Sequence, residues 1–222
     1  MVVNDRYCFV FVHVPKVAGT SIANALKRLP GNRKDLKRSG TKHETAGEFG
    51  RYWRKRASLF RRNVRSLESF TLFGFVRDPW DRMASSYYYL VDKRRSRRDI
   101  PQLGTFQDYV ERAYDGDTWL AGLALMKPQI DFFAGGEQVY GAALVGRYEC
   151  FQGHLERVSQ LLGVSVELEH TNRSKNTESD YRNLYSERHV EMVATLFHKD
   201  LKIFGYSFES IQPVRSSLDR LW

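Results

Sequence analysis

Tyr7 to Val14 is apolar almost without interruption, rich in aromatic and β-branched residues, and ends at Pro15. A run of that kind predicts a strand covered on both faces, as in the middle of a parallel sheet. Thr20 to Leu29 places Ile22, Ala25, Leu26 and Leu29 on one stripe of a helix, which Pro30-Gly31 then stops. Residues 31–43 are polar and basic and predict an exposed loop. Thr45 followed by Glu48 is the signature of a capping box opening a helix that runs through Trp53. Phe70 to Val76 predicts a second strand, and Pro79 opens a helix to about Leu90.

Between Phe106 and Phe133 the pattern is helical, broken at Gly116, Gly122 and Pro128. Ala143 to Tyr148 predicts a third strand, and Cys150 to Leu162 an amphipathic helix stopped by Gly163. From Ser186 the apolar positions Val190, Val193, Leu196, Phe197 and Leu201 suggest one last long helix, before Phe204-Gly205-Tyr206. Strands that alternate with helices argue for an α/β fold, three layers deep, with a mainly parallel central sheet flanked by helices. There is no internal repeat and no long Gly/Ser linker. We expect one domain over residues 1–208 and a loose C-terminal tail over 209–222.

The chain has 222 residues, of which 42% are hydrophobic, enough apolar material for a sizeable core. A disordered chain, a collagen-like repeat and a disulfide-stapled miniature are excluded on that ground. Lys and Arg outnumber Asp and Glu by 35 to 26, giving a formal charge of +9. That surplus favours an anionic partner without choosing one. Cys8 and Cys150 are too few for a disulfide framework and are expected to be buried free thiols. No residues stand at a familiar metal-ligand spacing. Apolar runs are too short to span a membrane and no secretory leader precedes the first strand, so a cytoplasmic setting is expected.

Two basic runs stand out: Arg51, Arg54, Lys55, Arg56, Arg61, Arg62 and Arg65, and then Lys93, Arg94, Arg95, Arg97 and Arg98. Each taken alone suits a solvated helix face or loop. Tyr52, Trp53 and Phe60 fall at helical spacing that suits core better than base stacking. No nucleic-acid-binding signature accompanies them, so no nucleic-acid partner is expected.

The segment His13-Val14-Pro15-Lys16-Val17-Ala18-Gly19-Thr20-Ser21 joins the first strand to the first helix. Backbone N–H groups at a helix start form a ready anion site. Gly19 would let the backbone approach a phosphate, Thr20 and Ser21 add hydroxyls, and Lys16 adds a charge. The lysine precedes the glycine by three residues, unlike the Walker A loop of ATPases, where it follows directly. A plain strand-to-helix turn with a serine or threonine cap explains the same residues equally well.

A second segment, Phe73 to Tyr87, puts Arg77 at a strand end and Ser85 two turns into the next helix. An arginine there points into the crevice where α/β sheets bind ligands, and its fork suits a phosphate. Asp78 stands one turn from Arg82, the spacing of an ordinary helical ion pair.

Together the two segments resemble the sulfotransferase superfamily, in particular its bacterial and Golgi carbohydrate branch. Pro15 to Ser21 is similar to the family's Pro-Lys-x-x-Gly/Ser-Thr-Ser loop, and Arg77 to Ser85 to its Arg-Asp-Pro-x-x-Arg-x-x-Ser segment. Weaker echoes are Arg147-Tyr148-Glu149, His170 to Ser174 and Asp200 to Tyr206. The resemblance implies a P-loop-like fold and a donor, 3′-phosphoadenosine 5′-phosphosulfate, which leaves as 3′-phosphoadenosine 5′-phosphate, with no metal. Lys16 would neutralise the leaving phosphate oxygen, and Ala18, Gly19, Thr20 and Ser21 would hold the 5′-phosphate. Arg77 and Ser85 would recognise the 3′-phosphate, and Ser174 is a candidate to cover the nucleotide.

The acceptor implied is a hydroxyl, on a glycan or glycolipid. His43, in Lys42-His43-Glu44-Thr45-Ala46, is the preferred general base and Glu44 its rival. His13 is expected to be structural, and Gln129 to pack or to face the acceptor. Because the chain starts almost at its first strand, we expect a bacterial-type soluble enzyme. Two other readings remain: a P-loop-type nucleotide kinase, and a non-catalytic basic module binding anionic glycan or nucleic acid.

Overall fold

The computed structural model describes residues 1–33, 43–60, 67–135, 138–139, 143–168 and 180–209, with backbone alone at 56–60, 68, 135 and 138–139. In chain order the elements are β1 (Val2–Asn4), β2 (Phe9–Val12), α1 (Gly19–Arg28), α2 (Ala46–Phe60), β3 (Thr71–Val76), α3 (Pro79–Arg94), α4 (Phe106–Tyr114), α5 (Thr118–Ala121), α6 (Ile130–Phe133), β4 (Ala134–Gly135), β5 (Gln138–Val139), β6 (Leu144–Arg147), α7 (Phe151–Leu162), α8 (Glu187–Leu196) and α9 (His198–Phe204). The described residues within Met1–Val76 and Gln129–Thr171 form one compact unit, and those within Arg77–Pro128 and Asn172–Ser216 another.

The first unit is built on a sheet of order β1-β2-β3-β6. β2 pairs in parallel with β3, and β3 with β6, so the carboxyl ends of all three strands share one edge. β1 alone runs antiparallel, pairing Val2 with Phe11 and Asn4 with Phe9. The α/β class and the mostly parallel sheet expected from the pattern are therefore present. All four residues of β2 are buried, as a strand covered on both faces requires. The rings of Phe9 and Phe11 lie 5.5 and 5.2 Å from that of Phe73. At the far edge, His154 on α7 accepts the backbone N–H of Arg147 at 2.7 Å through Nδ1, which fastens α7 to the end of β6.

The second unit is helical. Asp78 caps α3, accepting the N–H groups of Trp80 and Asp81 at 2.9 and 3.0 Å, and Pro79 occupies the first helical position. Trp80 Nε1 donates to the Val190 carbonyl at 3.0 Å, and Tyr185 donates to the Trp80 carbonyl at 2.8 Å. Ser86 and Tyr109 share a buried hydroxyl bond of 2.8 Å, tying α3 to α4. α3 runs to Arg94, a full turn past the end expected for it.

Several expectations change in detail. The last helix is two, α8 and α9, divided at Phe197. The thiols of Cys8 and Cys150 are free but only half-buried, Cys8 because it sits in the turn before β2 rather than in the strand. Gln129 is fully buried, which leaves it packing and removes it from an acceptor surface. Arg51, Arg54, Lys55 and the whole stretch from Lys93 to Arg98 are exposed, while Trp53 is core. The expected loop at 34–42, the candidate Ser174 and the tail from 210 lie outside the described residues.

Candidate functional site

The turn from β2 into α1 departs from ordinary backbone. Lys16 and Ala18 both adopt the left-handed region, at φ +68° and +57°. For a residue with a Cβ that conformation costs about 1 kcal/mol. Successive N–H groups in such turns form concavities that suit anions. Val17 between them is fully buried and anchors the turn, whereas Lys16 and Ala18 are partly exposed.

The helix start behind this turn has no side-chain cap. Ala18 is the N-cap residue, no side-chain cap hydrogen bond is made, and the first turn holds no acidic residue. The serine or threonine cap that would explain the turn as plain structure is absent from α1. Ser21 directs its N–H to the Ala18 carbonyl at 3.0 Å, so its contribution to a ligand would come from the hydroxyl. Gly19 is required for a reason different from the one expected. Its φ is outside the left-handed region, and a Cβ there would lie 2.2 Å from Cδ2 of the His13 imidazole. Glycine at 19 makes room for a histidine ring.

That ring leads to His43. The two imidazoles meet edge to face with centroids 4.6 Å apart. Nδ1 of His43 lies 3.0 Å from the backbone carbonyl of His13. A carbonyl only accepts, so Nδ1 carries the proton and donates it, leaving the lone pair of the neutral ring on Nε2. Glu44, by contrast, is buried, with a carboxylate oxygen 3.7 Å from the Met1 amine. The first unit thus brings Lys16, Ala18, Gly19, Thr20, Ser21 and His43 together around one strand end.

In the second unit Arg77 follows β3 by one peptide bond. Its Nε and Nη2 each donate to a different oxygen of Asp81, both at 2.7 Å, a two-bond fork within a side chain that is 7% exposed. Asp81 and Ser85 lie one turn apart on α3, and Arg77 precedes its N-cap Asp78. The ion pair expected between Asp78 and Arg82 is not formed. Asp78 is occupied by the cap, and Arg82 is buried with Nη2 donating to the Lys127 carbonyl at 3.1 Å and 4.0 Å from Asp200. Among the described residues its Nε and Nη1 find no hydrogen-bond partner, and its guanidinium carbon lies 4.6 Å from the centre of the Phe197 ring. Burial pulls its pKa below the usual arginine value, with Asp200 opposing.

Asp78 has a further neighbour in Tyr181, whose hydroxyl bonds to it. Burial first, and then the Asp78 charge, push the Tyr181 pKa upward. Tyr185 is raised by the same two causes. Both phenols therefore stay protonated and act as donors holding the start of α3.

The model of the sulfotransferase family matches residues 1–207. The chain belongs to the sulfotransferase family. Among solved structures, the mouse sulfotransferase SULT7A1 complexed with PAP is similar at 15% identity and a TM-score of 0.55, over 90% of this chain and 86% of that one. A sulfotransferase from Alicyclobacillus acidocaldarius aligns at 18% identity with a TM-score of 0.42, over 88% and 97% of the two chains. No curated protein matches the chain.

Family membership makes the protein an enzyme of sulfuryl transfer. Among the described residues, no group of three or more His, Cys, Asp or Glu side chains is gathered to hold a metal ion. Nor is any helix among them long and apolar enough to cross a membrane. The Arg77–Asp81 pair is a site feature that the sequence reading does not name, though Asp81 is legible as an acid four residues after Arg77. His13, expected to be structural, is buried, and its backbone carbonyl anchors His43.

Proposed function

We propose that this sulfotransferase moves a sulfuryl group from 3′-phosphoadenosine 5′-phosphosulfate to a carbohydrate hydroxyl, with His43 as general base. The observation that carries the reading is the uncapped start of α1 behind left-handed Lys16 and Ala18, beside His43, whose Nδ1 is anchored on the His13 carbonyl. Those residues fit the donor: an oxyanion needs clustered N–H groups and a positive charge, and the turn presents both. When bound, the donor supplies the sulfuryl group, its sulfur–oxygen bond to the 5′-phosphate breaking as the acceptor oxygen bonds to sulfur.

Lys16 would neutralise the charge left on the phosphate oxygen. The turn at Ala18 and Gly19, with the hydroxyls of Thr20 and Ser21, would hold the 5′-phosphate. Arg77 and Ser85 would hold the 3′-phosphate that distinguishes this nucleotide from ATP. His43 Nε2 would take the acceptor proton, and the His13 carbonyl, already bonded to Nδ1–H, would stabilise the imidazolium that results. Burial and its neighbour Met1 make Glu44 the poorer base. Positioning and charge stabilisation carry most of the catalysis in transfers of this type.

The exposed basic run from Lys93 to Arg98 supports an acidic or sulfated glycan as acceptor, and free thiols suit a cytoplasmic enzyme. The test is to incubate the protein with the donor and a panel of neutral and anionic saccharides, and to look by mass spectrometry for the gain of one sulfuryl group. The reading expects a saccharide product with the natural chain and none with Lys16→Ala or His43→Ala. Transfer to a non-carbohydrate hydroxyl would replace the acceptor class, and no use of the donor at all would overturn the reading.

A further inference from the structure

Tyr87, Val91, Arg94 and Arg95 fall on one stripe of α3, at steps of four, seven and eight residues. With the segment Gln102 to Thr105 and with Asp108 in the first turn of α4 they line a groove of about 620 Å³, an ordinary size for a small-molecule site. Ser85, the candidate for the donor's 3′-phosphate, is on another face of the helix. It stands two residues before Tyr87, about 200° round the axis, and nine before Arg94, about 14 Å along it. The groove is therefore separate from the place proposed for that phosphate.

Its walls are fastened from several sides. The Tyr87 hydroxyl donates to the Gly104 carbonyl at 2.9 Å, Arg94 Nε to the Ile100 carbonyl at 3.2 Å, and Arg112 Nη1 to the Gln102 carbonyl at 2.8 Å. Ile100 and Leu103 are core. Gly104 takes a left-handed φ of +73°, and a Cβ there would meet Asp108 Oδ2 at 2.4 Å. That oxygen accepts the backbone N–H and the hydroxyl of Thr105 at 2.7 and 2.8 Å, bonds that hold the Asp108 carboxyl below its usual pKa. Among the described residues Asp108 Oδ1 has no partner. A groove braced in this way loses little freedom when it fills.

We infer that the groove binds an acidic saccharide, a unit of a sugar chain bearing sulfate or carboxylate groups. The inference deepens the proposal of a carbohydrate acceptor and rests on it. A guanidinium grips a sulfate or carboxylate in two bonds, and Arg94 and Arg95 supply two such groups. Arg95 lies 3.9 Å from Asp92, both well exposed, so water screens that pair. Tyr87 and Val91 add apolar surface for the carbon face of a sugar ring. Asp108 separates a saccharide from other polyanions. Its charge repels a nucleic acid, which offers it nothing in return, whereas a sugar hydroxyl can donate to Oδ1.

The test is calorimetric titration, without donor, of a sulfated heparin hexasaccharide, its desulfated counterpart and a thymidine hexanucleotide into the full chain and its variants. The natural chain is expected to bind the sulfated hexasaccharide about tenfold or more tighter than either of the others. Arg95→Gln should lower that affinity about tenfold, with thermal unfolding unchanged. Lys93→Gln combined with Arg98→Gln removes two charges of the same run that do not line the groove, and should lower it by about threefold or less. Asp108→Asn should weaken the hexasaccharide and tighten the hexanucleotide.

Losses as large in the Lys93→Gln, Arg98→Gln pair as in Arg95→Gln would overturn the groove in favour of diffuse charge. A hexanucleotide bound as tightly as the sulfated hexasaccharide, or both tightened by Asp108→Asn, would overturn the saccharide. Sulfation of saccharides by a chain whose hexasaccharide affinity is indifferent to Arg95→Gln would overturn the groove and leave the acceptor reading standing. Transfer only to non-carbohydrate hydroxyls would instead overturn the acceptor reading on which the inference rests.

Discussion

Two helix starts in this chain are built on opposite principles. α3 obeys the local rules: Asp78 caps it, Pro79 opens it, Asp81 lies in its first turn, and Tyr181 braces the cap. α1 obeys none of them at its N-terminus, having an alanine N-cap, no side-chain cap and left-handed residues at Lys16 and Ala18. A start whose N–H groups are satisfied by its own side chains is a scaffold, and one whose side chains leave them to an outside partner is a receptor.

The sharpest way to expose the scaffold is to remove Asp200. Asp200→Ala would leave the buried Arg82 guanidinium without its counter-charge, and unfolding in denaturant should show a loss of about 3 kcal/mol or more. The receptor answers to a different assay. His43→Ala should reduce turnover by about a hundredfold or more while leaving the affinity for adenosine 3′,5′-bisphosphate unchanged, because a general base acts on the acceptor. A fall in both would place His43 in nucleotide binding and break the division of labour proposed for the turn.

Gly19→Ala sets the imidazole of His13 against a new methyl group. The ring must shift, so thermal unfolding should report a loss of about 1–3 kcal/mol, and turnover should fall as the His43 anchor moves. Smallest of the four is Asp78→Ala. Losing the cap should cost about 1 kcal/mol in chemical denaturation, with bisphosphate affinity nearly kept. A larger effect of Asp78→Ala on binding than on stability would mean that α3 is not merely a scaffold.

Much of this arrangement is legible in the chain before any coordinates. β2 and β3 announce themselves because β2 is apolar throughout and β3 is so after Thr71, and the capping box at Thr45 and Glu48 forms as its spacing predicts, with bonds of 2.7 to 3.1 Å. β1 does not, since Val2–Asn4 is too short to show a period and is specified by its pairing with β2. The break at Phe197 is equally hidden, because the apolar stripe passes through it without a proline or glycine. In the site, residue types at Lys16, Gly19, Arg77 and Ser85 carry the resemblance, but the reasons for them are tertiary. No spacing rule connects His43 to a carbonyl thirty residues earlier, or Gly19 to the ring it accommodates. The Arg77–Asp81 pair is the exception, a four-residue step that local reasoning could have chosen over Asp78 and Arg82.

The central proposal is that Arg77 recognises the 3′-phosphate of the donor nucleotide. Calorimetry of adenosine 3′,5′-bisphosphate against ATP with magnesium tests it most directly, in the natural chain and in Arg77→Ala. The account predicts binding of the bisphosphate about tenfold or more tighter than ATP, a difference that Arg77→Ala erases. Preference for ATP with magnesium, or a bisphosphate affinity indifferent to Arg77→Ala, would contradict it.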